Sequence, residues 1–284
     1  MRKIVLLLAA ALLLPACGGG DSVAADPVAE AAAKTTEAGS SRIEFTMTVE
    51  AEGQKFSMGG DGVFNYSRPQ GRMTIDLGNL AELSRGVLVD RPMEVVFDGL
   101  VYYMRFPGGL MELGPLGDKW LKIDLAKLDE ETGVDLGALQ QANQNPAQLL
   151  QFLRGTSDEI EELGQEDVRG VETTHYRAKV DLDEAAERGA DIGEFSDEMR
   201  EQLEAEIERV KRQTGLEELP VDVWVDQDDL VRRLRMNFTF PVDGDQAGMD
   251  MKVDYFDFGV DVRAAPPPAA ETVDVAELAG LGGS

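Results

Sequence analysis

Cysteine and histidine are nearly absent from this sequence, whose 284 residues include one of each, Cys17 and His175. A single cysteine excludes a disulfide within the chain, so the fold must be stabilised by burial of apolar side chains. One cysteine and one histidine also leave little material for nucleophilic catalysis or a zinc site. Acidic residues occur throughout the chain, so no single pair of carboxylates indicates acid–base chemistry. We therefore expect no enzymatic activity, no metal and no cofactor.

Positive charge is scarce as well. The chain has 27 lysines and arginines against 54 aspartates and glutamates, which gives a formal net charge of −27. Such a chain repels phosphate backbones and anionic headgroups, which excludes nucleic acid as a partner. No glycine-rich loop stands between a strand and a helix to hold a phosphate. The apolar fraction of 43% is sufficient for a substantial core.

Long apolar runs are limited to residues 4–14, a stretch of Ile, Val, Leu and Ala. This run is too short to span ~30 Å of hydrocarbon, and it follows two basic residues, as in a signal peptide. The next residues, Leu14-Pro15-Ala16-Cys17, resemble the bacterial lipobox, whose cysteine sulfur receives diacylglycerol before cleavage leaves it at the N-terminus. We predict a cleaved signal peptide at residues 1–16, lipidation of Cys17 and a flexible tether at residues 17–26. The alternative is an ordinary signal peptide cut nearby, with Cys17 incidental.

Lipidation would determine where the protein resides. Two acyl chains contribute ~0.8 kcal/mol per buried methylene, which is enough for a stable anchor. We therefore expect an exported bacterial protein on the outer face of the plasma membrane, with the membrane as a partner through the lipid on Cys17.

Most of the remaining chain alternates apolar and polar residues with a period of two, which is typical of antiparallel strands with one solvated face. About ten such strands follow one another between Ser41 and Val260. Asp98-Gly99 predicts a tight hairpin between two β-rich runs, and Gly59-Gly60 suggests a bulge in the second strand. The sequence therefore predicts a mainly β protein with a few helices, built on an antiparallel sheet.

Two short helices are predicted beside this sheet. An alanine-rich helix covers residues 27–38, with Asp26 as its N-terminal cap and Gly39 at its end. A second one, at residues 145–155, carries four large apolar side chains.

A helical insertion is predicted at residues 183–215. Its acidic helix, residues 196–213, has a narrow apolar seam that either rests on the domain or docks a partner. We place the folded domain at residues 27–265, and we expect three prolines to end the sheet and residues 266–284 to form a loosely ordered tail.

The predicted sheet has one large apolar face that is rich in Met and Phe. Such a face must be covered by a second layer, or the sheet must curl around it. Methionine side chains adapt to irregular apolar shapes, so a curled sheet could enclose a Met- and Phe-lined cavity. The alternative is a filled core in which Met only fills gaps, and the spacing alone favours that filled core.

Five segments carry a resemblance to a known family. They are SRIEF (41–45), VFDGLVY (96–102), WLKID (120–124), GQEDVRGVETTHY (164–176) and PVDVWVD (220–226). In this order, behind the lipobox-like segment and a capped helix, they resemble the actinobacterial LppX/LprG lipoproteins over residues 28–262. The resemblance implies a LolA-like fold, in which a strongly curved antiparallel sheet, a half-barrel, wraps over helices and encloses an apolar pocket for lipid or acylated glycolipid. It implies no catalytic residues, and the acidic helix is not part of the family's usual pattern.

The resulting functional hypothesis is a membrane-anchored, monomeric lipoprotein that binds or carries lipid or acylated glycolipid. An alternative is a non-enzymatic sensor or structural partner of a cell-envelope complex, with the same fold and a filled core. The predicted pocket lining comes from strands that lie far apart in the sequence: Phe45, Met47, Phe64, Met73, Ile75, Val101, Met236, Phe238 and Met251.

Two polar features have simpler interpretations than a functional site. His175 alternates outward and is expected to be a solvated strand residue. The turn at residues 226–229 is rich in aspartate but lacks the distal glutamate of a calcium loop, so we interpret it as a polar turn.

Overall fold

The structure is a computed structural model. It describes residues 27–51, 53–78, 92–107, 119–127, 160–182, 205, 208, 209, 211, 212, 215–242 and 245–275. The predicted signal peptide, Cys17, the tether, the Asp26 cap and the helix at residues 145–155 lie outside these residues.

One helix and one twelve-stranded sheet make up most of the described chain. The helix α1 spans Pro27–Glu37. The strands, in chain order, are β1 Ser40–Ala51, β2 Gln54–Asn65, β3 Gln70–Asp76, β4 Met93–Asp98, β5 Val101–Arg105, β6 Trp120–Asp124, β7 Ile160–Val168, β8 Val171–Asp181, β9 Glu218–Asp226, β10 Val231–Val242, β11 Asp245–Phe256 and β12 Thr272–Asp274.

The sheet has the strand order β12-β6-β5-β4-β3-β2-β1-β11-β10-β9-β8-β7. Neighbouring strands are antiparallel except for β12 and β6, which are parallel. The order leaves β12 and β7 as edges, and the sheet is curved without closing. The fold class predicted from the sequence, a mainly β protein with a curved antiparallel sheet, is confirmed.

The helix α1 forms where the alanine-rich sequence predicts it. Its buried residues, Val28, Ala31, Ala32 and Thr35, recur with helical spacing and form one stripe. This stripe belongs to the same core cluster as strand residues of β1, β9, β10 and β11. The Thr35 Oγ1 atom accepts a hydrogen bond of 2.8 Å from the backbone N–H of Val231 in β10, and Lys34 forms an ion pair with Asp229. These contacts fix α1 on one half of the inner face of the sheet.

Tight turns set the register of the hairpins. Asp98 pairs with Val101, so β4 and β5 are joined by Gly99 and Leu100, as the Asp-Gly signal predicts. Arg169 and Gly170 join β7 to β8 with φ angles of 54° and 80°, the left-handed values that a two-residue hairpin turn requires.

The predicted bulge at Gly59-Gly60 is wrong, because β1 and β2 stay in continuous register from Ser40 to Ala51. Gly60 serves close packing instead. A Cβ atom there would lie 2.8 Å from Cε1 of Phe45 and would also overlap the carbonyl oxygen of Thr74. The missing side chain therefore lets the Phe45 ring lie across the neighbouring strand.

The C-terminal segment departs from the predicted loose tail. Beyond the prolines, Thr272–Asp274 forms β12 and pairs with Trp120, Leu121 and Lys122 of β6. The Lys122 ammonium donates a hydrogen bond of 3.2 Å to Asp274. Prolines lack the N–H of a strand ladder but do not prevent the next residues from pairing.

The end of the predicted acidic helix is also visible. Ala205, Glu208, Arg209, Lys211 and Arg212 are helical. Gly215 has a φ of 68°, and its N–H donates a hydrogen bond of 2.7 Å to the carbonyl oxygen of Lys211. A glycine in the left-handed region is the usual C-terminal cap of a helix. The apolar seam of this helix lies outside the described residues.

Candidate functional site

The two faces of the sheet have different chemistry. On the inner face, large apolar residues follow one another from strand to strand and form the main core cluster together with α1. On the outer face, charged residues predominate. The main apolar core therefore lies on one face, although the outer face of β4 to β6 also holds a small apolar cluster of Val96, Trp120 and Ala264.

Four methionines form a continuous row on the inner face. Met236 of β10 is paired with Met251 of β11, which is paired with Met47 of β1, which is paired with Met58 of β2. All four side chains are half-buried. Directly paired positions place side chains ~4.5–5.5 Å apart, so the row forms one unbroken thioether surface across four strands. We call these residues the methionine row.

Further apolar side chains flank the methionine row on one side. There Phe238 of β10 is paired with Met249 of β11, and Met249 with Val49 of β1. Phe238 also contacts Phe240, with ring centroids 5.9 Å apart. These residues are all half-buried. The apolar surface thus continues towards the ends of the long strands.

A second cluster covers the inner face of β2 to β5. Its buried residues are Ile75, Leu77 and Val95, and half-buried Met58, Met73, Met93 and Met104 pack against it. Phe97 lies between Phe64 and Tyr102, with ring centroids 5.7 Å and 5.6 Å apart. Together with the methionine row and Met249, this cluster places eight of the chain's eleven methionines on one face.

The structure brings most of the predicted lining residues together. Half-buried residues on the inner face are Phe45, Met47, Met73, Met236, Phe238 and Met251. Phe64 and Ile75 lie on the same face but are buried in the core clusters, each with 7% of its surface exposed.

The prediction for Val101 is wrong. Val101 pairs with Asp98 and Asp124, whereas the inner-face residue Phe97 pairs with Tyr102. Because side chains alternate along a strand, Val101 points to the outer face. Tyr102 takes its place on the inner face and was not among the predicted residues.

The outer face holds a polar cluster around His175. Its ring stacks on Trp224 at 4.1 Å, and its Nδ1 and Nε2 atoms lie 3.1 Å from Glu166 and Asp222 respectively. Only 7% of His175 is exposed, so the expectation of a solvated histidine is wrong, although the side chain does point outward. The Trp224 indole N–H donates a hydrogen bond of 2.9 Å to Glu166, and this bond is the main cause that holds the pKa of Glu166 below its usual value. We interpret the cluster as cross-strand stabilisation.

Arginine–aspartate pairs continue this outer face behind the methionine row. Arg233 forms two hydrogen bonds to Asp254, of 2.6 Å and 2.8 Å, and Arg235 forms two to Asp250, of 2.9 Å and 2.7 Å. Hydrogen bonding to its carboxylate partner raises the pKa of each arginine. These pairs join β10 to β11 on the face opposite the methionines.

The polar turn at residues 226–229 has an internal role. The carboxylate of Asp226 accepts hydrogen bonds of 2.9 Å from the N–H groups of Asp228 and Leu230, and one of 2.5 Å from Arg232. Both oxygens are therefore used in closing the β9–β10 hairpin.

The described residues contain no group of three or more side chains that could hold a metal ion. Within the same part of the chain, no helix combines the length and apolar character of a membrane span.

The chain has relatives among curated proteins, although no family model matches it. It is 28% identical over 269 residues to "Uncharacterized 31.2 kDa protein in rplA-rplJ intergenic region" of Streptomyces griseus, covering 92% of this chain and 83% of that protein. It is 28% identical over 268 residues to "Putative lipoprotein SCO4650" of Streptomyces coelicolor, covering 92% and 78%.

Solved structures similar to this chain include two mycobacterial proteins. LprF from Mycobacterium bovis is 13% identical, with 85% of this chain and 95% of that chain covered and a TM-score of 0.46. LppX from Mycobacterium tuberculosis is 12% identical, with 84% and 100% covered and a TM-score of 0.44. The two Streptomyces relatives are thus matched along 92% of this chain, and LppX belongs to the family that its sequence motifs resemble.

Proposed function

We propose that this chain is an exported, lipid-anchored protein that holds the apolar chain of a lipid against the inner face of its sheet. The observation that carries the proposal is the methionine row, four half-buried thioether side chains in unbroken register across β10, β11, β1 and β2. A filled core needs well-defined side-chain shapes, which branched residues supply better than methionine. Methionine suits a surface that must fit an apolar ligand of variable shape.

The dimensions of the inner face suit a long acyl chain. The strands β1, β2, β10 and β11 have 12 residues each, which corresponds to roughly 40 Å at ~3.3 Å per residue. Each methylene group removed from water contributes ~0.8 kcal/mol before the cost of ordering the chain. A chain of some fifteen methylenes would thus contribute on the order of 10 kcal/mol before that cost, enough for stable retention.

The division of the inner face also favours ligand binding. Helix α1 packs on β9 and β10, and its residues Val28, Ala31 and Ala32 are almost completely buried there. The inner face of β2 to β5 carries half-buried Met58, Met73 and Met104 beside the buried residues Ile75, Leu77 and Val95. One half is therefore a fixed core, and we assign the ligand to the other half.

Membrane attachment through Cys17 is the second part of the proposal. It is supported by the lipobox-like residues 14–17 behind the apolar run and by the lipoprotein name of a relative matched over most of its length. The net charge of −27 would repel anionic headgroups and keep the folded body away from the surface that holds its anchor. We propose the outer face of the plasma membrane as its location, monomeric binding of lipid or acylated glycolipid, and no enzymatic activity.

Native mass spectrometry of a Cys17→Ala protein tests the ligand proposal. The protein should carry additional mass that organic solvent removes and that fatty-acid analysis identifies as acyl lipid. Met47→Trp places a larger side chain at the centre of the methionine row and should lower the bound lipid several-fold. Thr46→Trp is the matched control, because Thr46 is exposed on the opposite face of the same strand. It should bind lipid like the parent protein.

The filled-core alternative predicts the opposite outcome for the same variants. Inserting a larger side chain into a packed core costs about 1–3 kcal/mol in stability. A parent protein without bound lipid, together with a Met47→Trp variant of clearly lower melting temperature, would therefore refute lipid carriage. That result would favour a sensor or structural partner of an envelope complex.

A further inference from the structure

The main core cluster contains buried Tyr255, and Tyr66, Tyr102 and Tyr176 pack against it. The hydroxyl group of Tyr66 is hydrogen-bonded to Ser41, and Tyr255 also has an interaction partner. Among the described residues, the Tyr102 hydroxyl has no hydrogen-bond partner.

The surroundings of Tyr102 are apolar. Its ring stacks on Phe97 at a centroid distance of 5.6 Å and an interplanar angle of 19°, and its register partner on β6 is Ile123. It packs against both core clusters, as Phe45 and Met73 also do. Burial alone raises the pKa of Tyr102 well above its ordinary value, whereas the raised pKa of Tyr66, about 12, is moderated by its hydrogen bond to Ser41. The Tyr102 phenol is thus a proton donor placed among hydrocarbon and thioether groups.

A bound acyl chain would change the surroundings of this hydroxyl group. Tyr102 is half-buried, so water can reach part of it in the free protein. A lipid lying on the inner face would displace that water, and a buried hydroxyl without an acceptor is unfavourable. Binding is therefore favoured when the lipid itself supplies an acceptor at this position.

We propose that Tyr102 selects lipids that carry an acyl carbonyl group, with the phenol O–H donating to an ester or amide carbonyl oxygen. This inference rests on the proposed lipid-binding function. A carbonyl suits the site better than the alternatives. A phosphate would be an uncompensated charge, since the nearby cation on β5, Arg105, points to the outer face with its partner Glu94. A ligand hydroxyl would bring a proton that needs a further acceptor.

The test compares two neighbouring tyrosines on opposite faces of β5. Tyr102→Phe keeps the ring and removes only the hydroxyl group. Tyr103→Phe makes the same change on the outer face, where Tyr103 packs near Val96 and Trp120. Both variants are made in the Cys17→Ala protein, and each is titrated with dipalmitoylglycerol, which has two ester carbonyls, and with hexadecane, which has no acceptor.

Tyr103→Phe should bind each probe with the same affinity as the parent protein does. Tyr102→Phe should bind dipalmitoylglycerol about three- to tenfold more weakly, the loss expected for one neutral hydrogen bond. It should bind hexadecane at least as tightly as the parent does, because no hydroxyl group is then buried without an acceptor. Hexadecane binding that is not weakened also shows that the inner face remains intact.

Three results would overturn the inference. If Tyr102→Phe binds dipalmitoylglycerol like the parent, the hydroxyl is not a donor to the ligand, and the proposed function is untouched. If the variant loses affinity for both probes equally, Tyr102 acts only through packing. If the parent protein binds neither probe, the proposed function itself fails, and the inference fails with it.

Discussion

Gly71 is a position where the structure predicts a large effect of a single added methyl group. It lies in β3 opposite Phe97. Its backbone is not in the left-handed region, and neither is that of Gly248, whose substitution serves below as the control. A Cβ atom at Gly71 would lie 2.6 Å from Cε1 and Cζ of the Phe97 ring and 2.8 Å from the carbonyl oxygen of Val63. Ordinary carbon–carbon contacts are ~3.5–4.0 Å, so a shift of about 1 Å is needed.

The loss of stability in Gly71→Ala depends on how easily the atoms around the added methyl group can move. Phe97 is 5% exposed and lies between the Phe64 and Tyr102 rings, and the Val63 oxygen belongs to the backbone of the neighbouring strand. Overpacking of this kind costs about 1–3 kcal/mol, and we expect the Gly71→Ala variant to lie near the upper end. For a protein of this size, 3 kcal/mol lowers the melting temperature by roughly 6–12 °C.

Gly248→Ala is the matched control. A Cβ atom at Gly248 would meet Cγ2 of Thr239 at 3.6 Å and the carbonyl oxygen of Phe238 at 4.0 Å, which are ordinary contacts. This variant should be neutral or stabilised by up to ~1 kcal/mol, because alanine restricts the unfolded chain. Thermal and denaturant unfolding measure both variants. Equal stability of the two would refute the close packing of Phe97 over β3.

Further predictions concern the anchor, the outer face and acid stability. Cys17→Ala should abolish palmitate incorporation and membrane attachment while leaving the melting temperature unchanged, and label in the variant would contradict lipidation at this residue. Arg233→Met leaves the carboxylate of Asp254, a residue only 4% exposed, without its two hydrogen bonds, and should cost about 3–5 kcal/mol in denaturant unfolding. The pKa of Glu166 is lowered mainly by its bond to Trp224, so its contribution to stability is present above the ordinary value of 4.5 and is lost as the pH falls through the lowered value. Trp224→Phe should therefore lose less stability than the parent on acidification from pH 7 to pH 3, and an equal loss would argue against that bond.

Much of the fold could be predicted because strand alternation and turn chemistry are local properties. The Asp98-Gly99 turn lies where the sequence signals it. The prediction of a bulge was wrong because a glycine in a strand can serve either of two purposes. It can allow a bulge in the backbone, or it can leave space for a neighbouring ring. The ring that needs the space at Gly60 belongs to Phe45, on another strand, so no local pattern distinguishes the two uses.

The residues of the candidate site were predicted in part. The wrong assignments concern residues whose orientation or burial depends on pairing with strands that the local sequence does not specify. The residues Leu100 to Met104 form a continuous apolar run, so alternation does not reveal which of them face inward. Only the register with β4 assigns Tyr102 to the inner face and Val101 to the outer face. His175 is buried by Trp224 on a neighbouring strand, which its own strand pattern does not reveal.

The two faces of β10 and β11 support the proposed function in different ways. Arg233 and Arg235 fix the spacing of these strands through paired hydrogen bonds on the outer face, directly behind Met236 and Met251. A rigid backbone carrying flexible side chains can fit apolar ligands of different shapes without rearranging the sheet, because only the thioether torsions need to change. Substitutions on the outer face should therefore act on stability, and substitutions in the methionine row should act on the bound lipid. A protein with a filled core would show no such separation, because every inner-face change would lower stability as well.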